Sequence, residues 1–529
     1  MGLNMSKTIN ERELVLEGLL EITENNVFSN IAIQQLLSKH QSLDKRSRAF
    51  VSHVIIGTLE RLMEIDYIIN QFSTINVKKM KPIIRNILRS GVYQLKYMES
   101  IPPSAVCNEA VKLASQRGFK NLKGFVNGNL RNIARNLEDI SYPTDRLSYL
   151  EVRYSIPSWI LKLWLQEHGL SRSELDLQNL SCFTPDLDTS PERLGQINNG
   201  ELAMNFEIVE RMVQFFHEKH PLTIRTNLSK IQPADLRDNL EKQGIKVGEH
   251  SYLSYAFKVS RIDYLAGIED FQKGNFYVQD VSSMLVAELA NPNKDSLVLD
   301  LCAAPGGKAL HLADKILSAG EYKGLGKKKE YKSTDSGVVL ACDLTDKKVA
   351  LIQENIHRAG FGNVKAVKKD ATILEEEFLG KADIVIADVP CSGLGILGKK
   401  PDLRYNSSLE QIGELVNLQR KILTNACAYV KSQGTLMFST CTINPKENQE
   451  NVRWLLENFP EFKLIPIYEE LPAKLRKRAV VQKEMQEGNG EDLERGELIL
   501  DSIRENTLQL LPGVNECDGF FIAKFRRMQ

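Results

Sequence analysis

The chain has 529 residues, of which 68 are Lys or Arg, 68 are Asp or Glu, and 42% are hydrophobic. This length predicts roughly two to four domains, and the balanced charge neither indicates nor excludes a nucleic-acid partner. No apolar run approaches roughly 18 residues, which predicts no membrane span, and the eight scattered cysteines argue against structural zinc and favour a reducing cytoplasm.

Residues from about 8 to 140 carry apolar side chains at helical spacing, for example over 83–92, which predicts an all-helical domain. Between Lys78 and Arg135 there are twelve Lys or Arg residues against two Glu. This local excess of positive charge favours contact with phosphates. A solvated helix surface is the alternative, and it is the commoner explanation of a charged run.

Three segments of this domain share one pattern. They are R-A-F-V-S-H-V-I-I-G-T-L-E-R at 48–61, I-I-R-N-I-L-R-S-G-V-Y-Q-L at 83–95 and I-P-P-S-A-V-C-N-E-A-V-K-L-A at 101–114. The pattern resembles the NusB-like RNA-binding helical domain. The resemblance implies an RNA-binding domain over residues 1–141.

Residues 142–262 are predicted to form a linker and a small α+β region that recognises RNA. The stretch L-T-I-R-T-N-L at 222–228 indicates a strand. Arg225 and Asn227 on this strand are candidates for RNA contact, with ordinary edge-strand polar residues as the alternative. Residues 171–218 are expected to be irregular because they are rich in Ser, Asn, Asp and Glu.

Residues 263–529 are predicted to form an α/β domain with a Rossmann-like parallel sheet. Within it, S-L-V-L-D-L-C-A-A-P-G-G-K-A-L-H-L-A at 296–313 indicates a buried strand, a glycine turn and a helix. In a doubly wound domain this is where a nucleotide-like ligand binds. The turn matches neither a Walker phosphate loop nor G-x-G-x-x-G. Taken alone, it could be any crossover with convenient glycines.

Later predicted strands end in Asp343, Asp370 and Asp388, and two strand ends are followed by Cys391 and Cys441. Ligands bind beyond the carboxyl ends of such strands, so these side chains are expected to share one edge. An acid at Asp343 can accept ribose hydroxyls, and Asp370 can accept a purine amine. Without a phosphate loop or metal carboxylates, S-adenosylmethionine fits better than ATP. Nicotinamide remains open, but it leaves the cysteines unexplained.

Two cysteines beside a methyl donor indicate transfer to a cytosine. Carbon-5 of cytosine is a poor nucleophile until a thiolate adds to carbon-6, after which carbon-5 can attack the methyl group. A base then removes the carbon-5 proton, and the thiol leaves by elimination. A lone cysteine elsewhere is usually a small buried apolar residue, and this interpretation applies to Cys107, Cys182, Cys342, Cys427 and Cys517.

Five motifs stand out in this domain: L-D-L-C-A-A-P-G-G-K, D-V-P-C-S-G-L-G, K-P-D-L-R-Y, S-T-C-T-I-N-P-K-E-N and D-G-F-F-I-A-K-F. They resemble the Nol1/Nop2/Sun family of RNA cytosine-C5 methyltransferases. With the NusB-like domain in front, the chain resembles the bacterial members that act on 16S rRNA. The resemblance implies a cytoplasmic enzyme that uses S-adenosylmethionine, and we expect a monomer with no metal and no membrane contact.

The resemblance also implies roles for individual residues. Cys441 is the expected nucleophile and Cys391 helps to release the product. Lys308 and Asp388 face the target base, and Lys308 is expected to be ion-paired or hydrogen-bonded. The expected donor-binding residues are Cys302, Ala303, Ala304, Pro305, Gly306, Gly307, Lys308, Asp343, Asp370 and Asp388. The loop after the nucleophile is expected to be ordered by Asn444, Glu447 and Asn448.

A base inside a duplex cannot reach a thiol, so the target must be flipped or unpaired. Lys399, Lys400 and Arg404 follow the P-C-S-G loop and are candidates for phosphate contact. No role is predicted for the polar inserts at 171–218, 321–337 and 471–499.

Two alternatives remain. In one, Cys391 is the nucleophile, as in DNA cytosine methyltransferases. In the other, the protein is an RNA-binding ribosome-assembly factor with a vestigial methyltransferase domain.

Overall fold

The computed structural model describes residues 10–167, 199–262, 264–318, 337–476, 503–504 and 506–529. The chain divides into two compact units. Unit 1 comprises residues 1–217 and 397–407, and unit 2 comprises 218–396 and 408–529. The domain boundaries expected after residues 141 and 262 remain predictions. Most of the three inserts lies outside the described residues, namely 171–198, 321–336 and 477–499.

Unit 1 is helical in its described part. Its α-helices are Glu11–Thr23, Ser29–Lys39, Lys45–Glu60, Leu62–Phe72, Pro82–Tyr97, Pro103–Gln116, Lys123–Arg135, Arg146–Tyr154, Ser158–Glu167, Asn199–Phe215 and Leu403–Asn406. Short 3-10 helices lie at Val77–Lys79, Lys120–Leu122 and Leu137–Asp139. Buried aliphatic side chains from the first seven α-helices form one core, which confirms the expected helical domain.

The helix Lys45–Glu60 illustrates how the sequence sets these elements. The carboxylate of Asp44 accepts a hydrogen bond from the backbone N–H of Ser47 at 2.7 Å, which satisfies one of the unpaired donors at the helix start. Near the other end, a Cβ at Gly57 would lie 2.1 Å from the ring of Tyr93. Glycine at this position therefore permits the close packing of two helices.

Over 199–215, the structure corrects the expectation of an irregular segment at 171–218. Asn199–Phe215 is a helix of 17 residues. Phe206, Val209 and Val213 are buried on it, and their spacing of three and four residues is helical. The polar residues between them make this helical spacing difficult to recognise when only the amino-acid composition of the segment is considered.

Arg404, a candidate for phosphate contact, lies in the interior of unit 1. Its side chain is 0% exposed, and its guanidinium donates to the backbone carbonyls of Glu60 at 2.8 Å and Tyr154 at 3.3 Å. A buried guanidinium cannot reach RNA, so this prediction is wrong. The neighbouring Lys399 and Lys400 are exposed.

Unit 2 begins with a four-stranded antiparallel sheet in the order β2-β3-β1-β4. Its strands are β1 Leu222–Thr226, β2 Lys246–Glu249, β3 Ala256–Ser260 and β4 Phe276–Val278. The helices Pro233–Lys242 and Glu269–Gln272 accompany the sheet, with a 3-10 helix at Leu265–Gly267. Strand β1 pairs with β3 on one side and β4 on the other, so it is an interior strand.

The two polar residues predicted to contact RNA from the stretch 222–228 are buried. Arg225 is 1% exposed, and it donates to Gln279 and Asp314 at 3.0 Å each. Asn227 is 2% exposed and donates to the backbone carbonyl of Gly274 at 2.9 Å. Both residues therefore stabilise unit 2 internally. The predicted RNA contact and the edge-strand alternative are both wrong.

The larger sheet of unit 2 has nine strands in the described part of the chain. Its strands are β5 Leu297–Asp300, β6 Val338–Asp343, β7 Val364–Lys368, β8 Ala382–Asp388, β9 Val430–Thr440, β10 Phe462–Leu464, β11 Ile503–Arg504, β12 Thr507–Leu510 and β13 Phe520–Arg527. The order is β11-β12-β13-β9-β8-β5-β6-β7, and β10 pairs with β13. Strands β5 to β9 are parallel, and β13 runs antiparallel to β9.

Helices cover both faces of this sheet. They are Val281–Ala290, Gly307–Ser318, Asp346–Ala359, Leu409–Tyr429 and Gln449–Asn458, with 3-10 helices at Glu376–Phe378 and Tyr468–Glu470. The neighbours Val298 and Leu299 pack into two different cores, because successive strand residues face opposite sides. This burial on both faces explains why Leu297, Val298 and Leu299 of β5 are all apolar, and it confirms the predicted α/β fold. None of the described helices is both long and apolar enough to cross a membrane.

Candidate active site

The carboxyl ends of the parallel strands gather the predicted site residues at one edge of the sheet. Asp300, Asp343 and Asp388 are the last residues of β5, β6 and β8. Cys441 directly follows β9, and Asp370 comes two residues after β7. The parallel pairing of these strands places the five residues at the edge where such sheets bind ligands.

The glycine turn between β5 and the helix Gly307–Ser318 is tied to β6. The backbone N–H of Ala303 donates to the carbonyl of Cys342 at 2.9 Å. Gly306 has a φ of 105°, in the left-handed region that favours glycine. Among the turn residues, Ala303 and Gly306 are buried, Pro305 is exposed, and four are half-buried, namely Cys302, Ala304, Gly307 and Lys308.

Asp343 binds this turn through its carboxylate. One oxygen accepts from the backbone N–H of Ala304 at 2.9 Å. The other accepts from the backbone N–H of Leu344 at 2.8 Å and from the ammonium of Lys348 at 2.9 Å. A carboxylate has about four acceptor positions, and three of those of Asp343 are occupied. One position is open to a further hydroxyl, and displacement of the Lys348 ammonium, whose side chain is 54% exposed, would open a second.

Asp370 is half-buried at the same edge. One of its oxygens accepts from the hydroxyl of Thr372 at 2.7 Å and from the backbone N–H of Thr372 at 2.9 Å. These two hydrogen bonds hold the pKa of Asp370 below its ordinary value. The carboxylate therefore stays ionised, and its second oxygen can accept a donor from a ligand.

Lys308 and Asp388 form an ion pair, with 2.7 Å between Nζ and Oδ2. The hydroxyl of Ser439 donates to the other oxygen of Asp388 at 2.7 Å, and the ammonium lies 5.1 Å from the ring centre of Phe520. Burial by itself would lower the pKa of Lys308, but the negative neighbours, with Asp388 foremost, together outweigh burial and raise it. The side chain therefore stays an ammonium, and the expectation that Lys308 is ion-paired or hydrogen-bonded is confirmed.

The two cysteines at this edge lie in contact, with 3.3 Å between the sulfur atoms of Cys391 and Cys441. Both residues are partly exposed. The contact with Cys441, together with burial, raises the pKa of Cys391 well above its ordinary value. Cys441 is also one of the groups that raise the pKa of Lys308, so its sulfur lies within electrostatic reach of an ammonium.

The loop after Cys441 is held by the residues expected to order it. Asn448 accepts from the hydroxyl of Thr440 at 2.6 Å and donates to the backbone carbonyl of Thr442 at 3.1 Å. Glu447 accepts from the side-chain amide of Asn444 at 2.9 Å. Of the cysteines interpreted as core residues, Cys182 lies outside the described residues and four are buried, namely Cys107, Cys342, Cys427 and Cys517.

Asp300 is a candidate site residue to which no sequence motif assigns a role. It is 1% exposed, and neither of its carboxyl oxygens has a hydrogen-bond partner among the described residues. Burial raises the pKa of Asp300 to about 7; Asp388 adds to the rise and Lys308 opposes it. A buried acid with a shifted pKa is characteristic of functional sites. The only signal in the sequence is an acid within the apolar run L-V-L-D-L.

Comparison with known proteins identifies two matching families. The model of the 16S rRNA methyltransferase RsmB/F family matches residues 287–526, and that of the NusB family matches residues 9–135. A probable ribosomal RNA small subunit methyltransferase B of Bacillus subtilis is 30% identical over 99% of this chain and 100% of its own length. A similarly named protein of Synechocystis is 28% identical over 98% of this chain and 100% of its own length.

One solved structure has the same fold over nearly the whole chain. The crystal structure of PH0851 superposes with a TM-score of 0.68 and covers 98% of this chain and 99% of its own. Its sequence identity of 23% limits the comparison to the fold.

Replacing Asp300 by Asn should change how the free energy of unfolding depends on pH. The folded-state pKa of about 7 lies above the unfolded value of about 3.9. The stabilisation from holding this proton is therefore fully present below about pH 4 and is lost as the pH rises through 7. Asn does not titrate, so the stability of Asp300→Asn relative to wild type should rise by about 3 kcal/mol between pH 5 and pH 8.

Chemical denaturation of both proteins at the two pH values measures this change. Asp295→Asn, at an exposed position before the same strand, is the matched control and should follow the wild-type pH profile. Parallel profiles for wild type and Asp300→Asn would contradict the pKa of about 7.

Proposed function

Because this chain belongs to the RsmB/F family of 16S rRNA methyltransferases, we propose that it methylates carbon-5 of a cytosine in 16S rRNA. Family membership makes it a methyltransferase of the class that uses S-adenosylmethionine. The observation that carries the finer proposal is the pair of sulfurs of Cys391 and Cys441, 3.3 Å apart at the same sheet edge as Asp343. Addition of a thiolate is the chemistry that a cytosine carbon-5 requires.

The methyl donor fits the turn and the acids that follow it. The two acceptor positions that Asp343 can offer match the two hydroxyls of a ribose. The second oxygen of Asp370 can accept the exocyclic amine of adenine. Gly306 and Gly307 have no side chain, so the turn permits the close approach of a ligand. When bound, this donor supplies a methyl group activated by a sulfonium.

Cys441 is the proposed nucleophile. Electrostatic attraction between Cys441 and Lys308 raises the pKa of Lys308, and the same attraction stabilises a thiolate at Cys441. The thiolate adds to carbon-6 of the cytosine, which makes carbon-5 nucleophilic. After carbon-5 has been methylated, a base removes its proton and the carbon–sulfur bond breaks, which restores the thiolate. We assign Cys391, whose sulfur lies 3.3 Å from that of Cys441, to the release of the methylated product, and Asp388 and Lys308 to hydrogen bonds with the polar edge of the base.

Unit 1 offers a surface for RNA. Of the twelve basic residues between 78 and 135, five form ion pairs, namely Arg85, Arg89, Lys96, Lys112 and Arg117. The other seven are exposed and have no ion pair in the described part of the chain: Lys78, Lys79, Lys81, Lys120, Lys123, Arg131 and Arg135. Exposed cations without an ion-pair partner are available to phosphate oxygens, which supports an rRNA partner.

RNA that contains 5-azacytidine at the target position should trap the enzyme covalently. The azabase has no carbon-5 proton to lose, so the adduct with Cys441 persists and is seen as a labelled band on a denaturing gel. Cys441→Ser should form no adduct and lose methyl transfer. Cys391→Ser should still form the adduct, because Cys391 is needed only for release.

Cys427→Ser, at a buried cysteine away from the sheet edge, is the control and should behave as wild type. Loss of the adduct only in Cys391→Ser would make Cys391 the nucleophile. Binding of undermodified rRNA by wild type without transfer from a radioactive donor would instead indicate an assembly factor.

Asp343→Asn should weaken the binding of S-adenosylhomocysteine. Hydrogen bonds to a charged group contribute about 1.5–3 kcal/mol each, so the dissociation constant should rise roughly 10- to 100-fold. Isothermal titration calorimetry measures it. Asp346→Asn, at an exposed acid three residues on, should leave the dissociation constant unchanged. Equal affinities for wild type and Asp343→Asn would contradict the assignment of Asp343 to the donor.

The triple variant Lys120→Ala, Lys123→Ala, Arg131→Ala should bind rRNA more weakly and with a smaller dependence on salt. Each lost phosphate contact should lower the slope of log K against log salt by about 0.7–0.9. Filter binding at several salt concentrations gives the slope. Lys112→Ala removes a lysine already paired with Glu109, so its slope should match wild type. An unchanged slope in the triple variant would exclude this surface from RNA binding.

A further inference from the structure

Glu447 is a carboxylate buried between the two cysteine loops. It is 0% exposed, and no ion pair reaches it in the described part of the chain. Oε1 accepts from the backbone N–H of Ser392 at 2.8 Å and from the side-chain amide of Gln419 at 3.0 Å. Oε2 accepts from the hydroxyl of Ser392 at 2.5 Å and from the side-chain amide of Asn444 at 2.9 Å. These four donors match an ionised carboxylate, which only accepts.

The hydrogen bonds of Glu447 link the residues that follow the two cysteines in the chain. Ser392 directly follows Cys391, and its hydroxyl proton goes to Glu447. The same hydroxyl lies 2.8 Å from that of Thr442, which directly follows Cys441. Because Ser392 has only one proton to give, Thr442 is the donor in this second bond. A single buried carboxylate therefore orders both loops.

The two sulfurs have different electrostatic neighbours. The contact with Cys441, burial and the negative charge of Glu447 all raise the pKa of Cys391. Cys441 lies within reach of the Lys308 ammonium, whose pKa it helps to raise. When two interacting sulfurs hold one proton, the proton is favoured on the one that faces negative charge.

We propose that Glu447 is a positioning residue that holds the two loops together and keeps the single proton of the thiol pair on Cys391. The thiol of Cys441 has then lost its proton to solvent, and Cys391 keeps its S–H bond. Glu447 is fully buried, so it acts on the sulfurs through Ser392, Thr442 and its charge. The catalytic roles of the two thiols rest on the proposed function. The order in which the thiols lose their protons does not, because it can be measured without substrate or methyl donor.

The test is the pH dependence of iodoacetamide alkylation at each cysteine, read by mass spectrometry of single peptides from the full-length protein without RNA or methyl donor. In wild type, the midpoint of the rise in alkylation rate with pH should lie at a lower pH for Cys441 than for Cys391. Glu447→Gln keeps the shape and removes the charge, so the Cys391 midpoint should fall by about one pH unit. A lower midpoint for Cys391 than for Cys441 in wild type would overturn the proposal, whether or not the variant folds.

Ser392→Ala is the matched control. It removes one hydrogen bond to the same carboxylate and leaves the charge, so it should lower methyl transfer and leave the Cys391 midpoint in place. A midpoint that moves equally in both variants, or in neither, would contradict the role of the charge. Methyl transfer to cytosine is measured on the same wild-type sample to separate the two proposals. If the midpoints have the expected order but no methyl group is transferred to cytosine, only the proposed function is contradicted.

Discussion

The parallel pairing of β8 with β9 is the constraint on which the site depends. It sets Asp388 opposite Ser439, and the hydroxyl of Ser439 donates to Asp388 at 2.7 Å. Cys391 and Cys441 come two or three residues beyond this pair, so both thiols leave the sheet at one edge. A slip of one residue would turn the side chains of a strand to the opposite face. The two apolar cores that cover the sheet prevent such a slip.

The small antiparallel sheet contributes to the same edge through the ion pair of Arg225 and Asp314. Asp314 lies on the helix that begins at the glycine turn, and it also accepts from the backbone N–H groups of Leu228 and Ser229 at 2.9 and 2.8 Å. Breaking a buried pair of this kind costs about 3–5 kcal/mol. The small sheet therefore supports the position of the turn that we assign to the methyl donor.

The sequence predicts the strand ends and the glycine turn because each depends on a short local pattern. That the acids and cysteines at those ends lie near one another can also be predicted, because the carboxyl ends of parallel strands meet at one edge of the sheet. The burial of Arg225 and Arg404 could not be predicted in this way. Their partners, Asp314 and Glu60, are distant in the chain. Gln419, which reaches Glu447 from the middle of a helix, belongs to no motif and has no local signal.

A crystal structure of the protein with S-adenosylhomocysteine bound would show whether the methyl donor and the nucleophile share one site. We expect the ribose to lie on Asp343 and the ligand sulfur to face Cys441, with space for one pyrimidine between the ligand sulfur and the Cys441 sulfur. A ligand bound elsewhere on the sheet, or a Cys441 sulfur shielded from it, would show that they do not share a site.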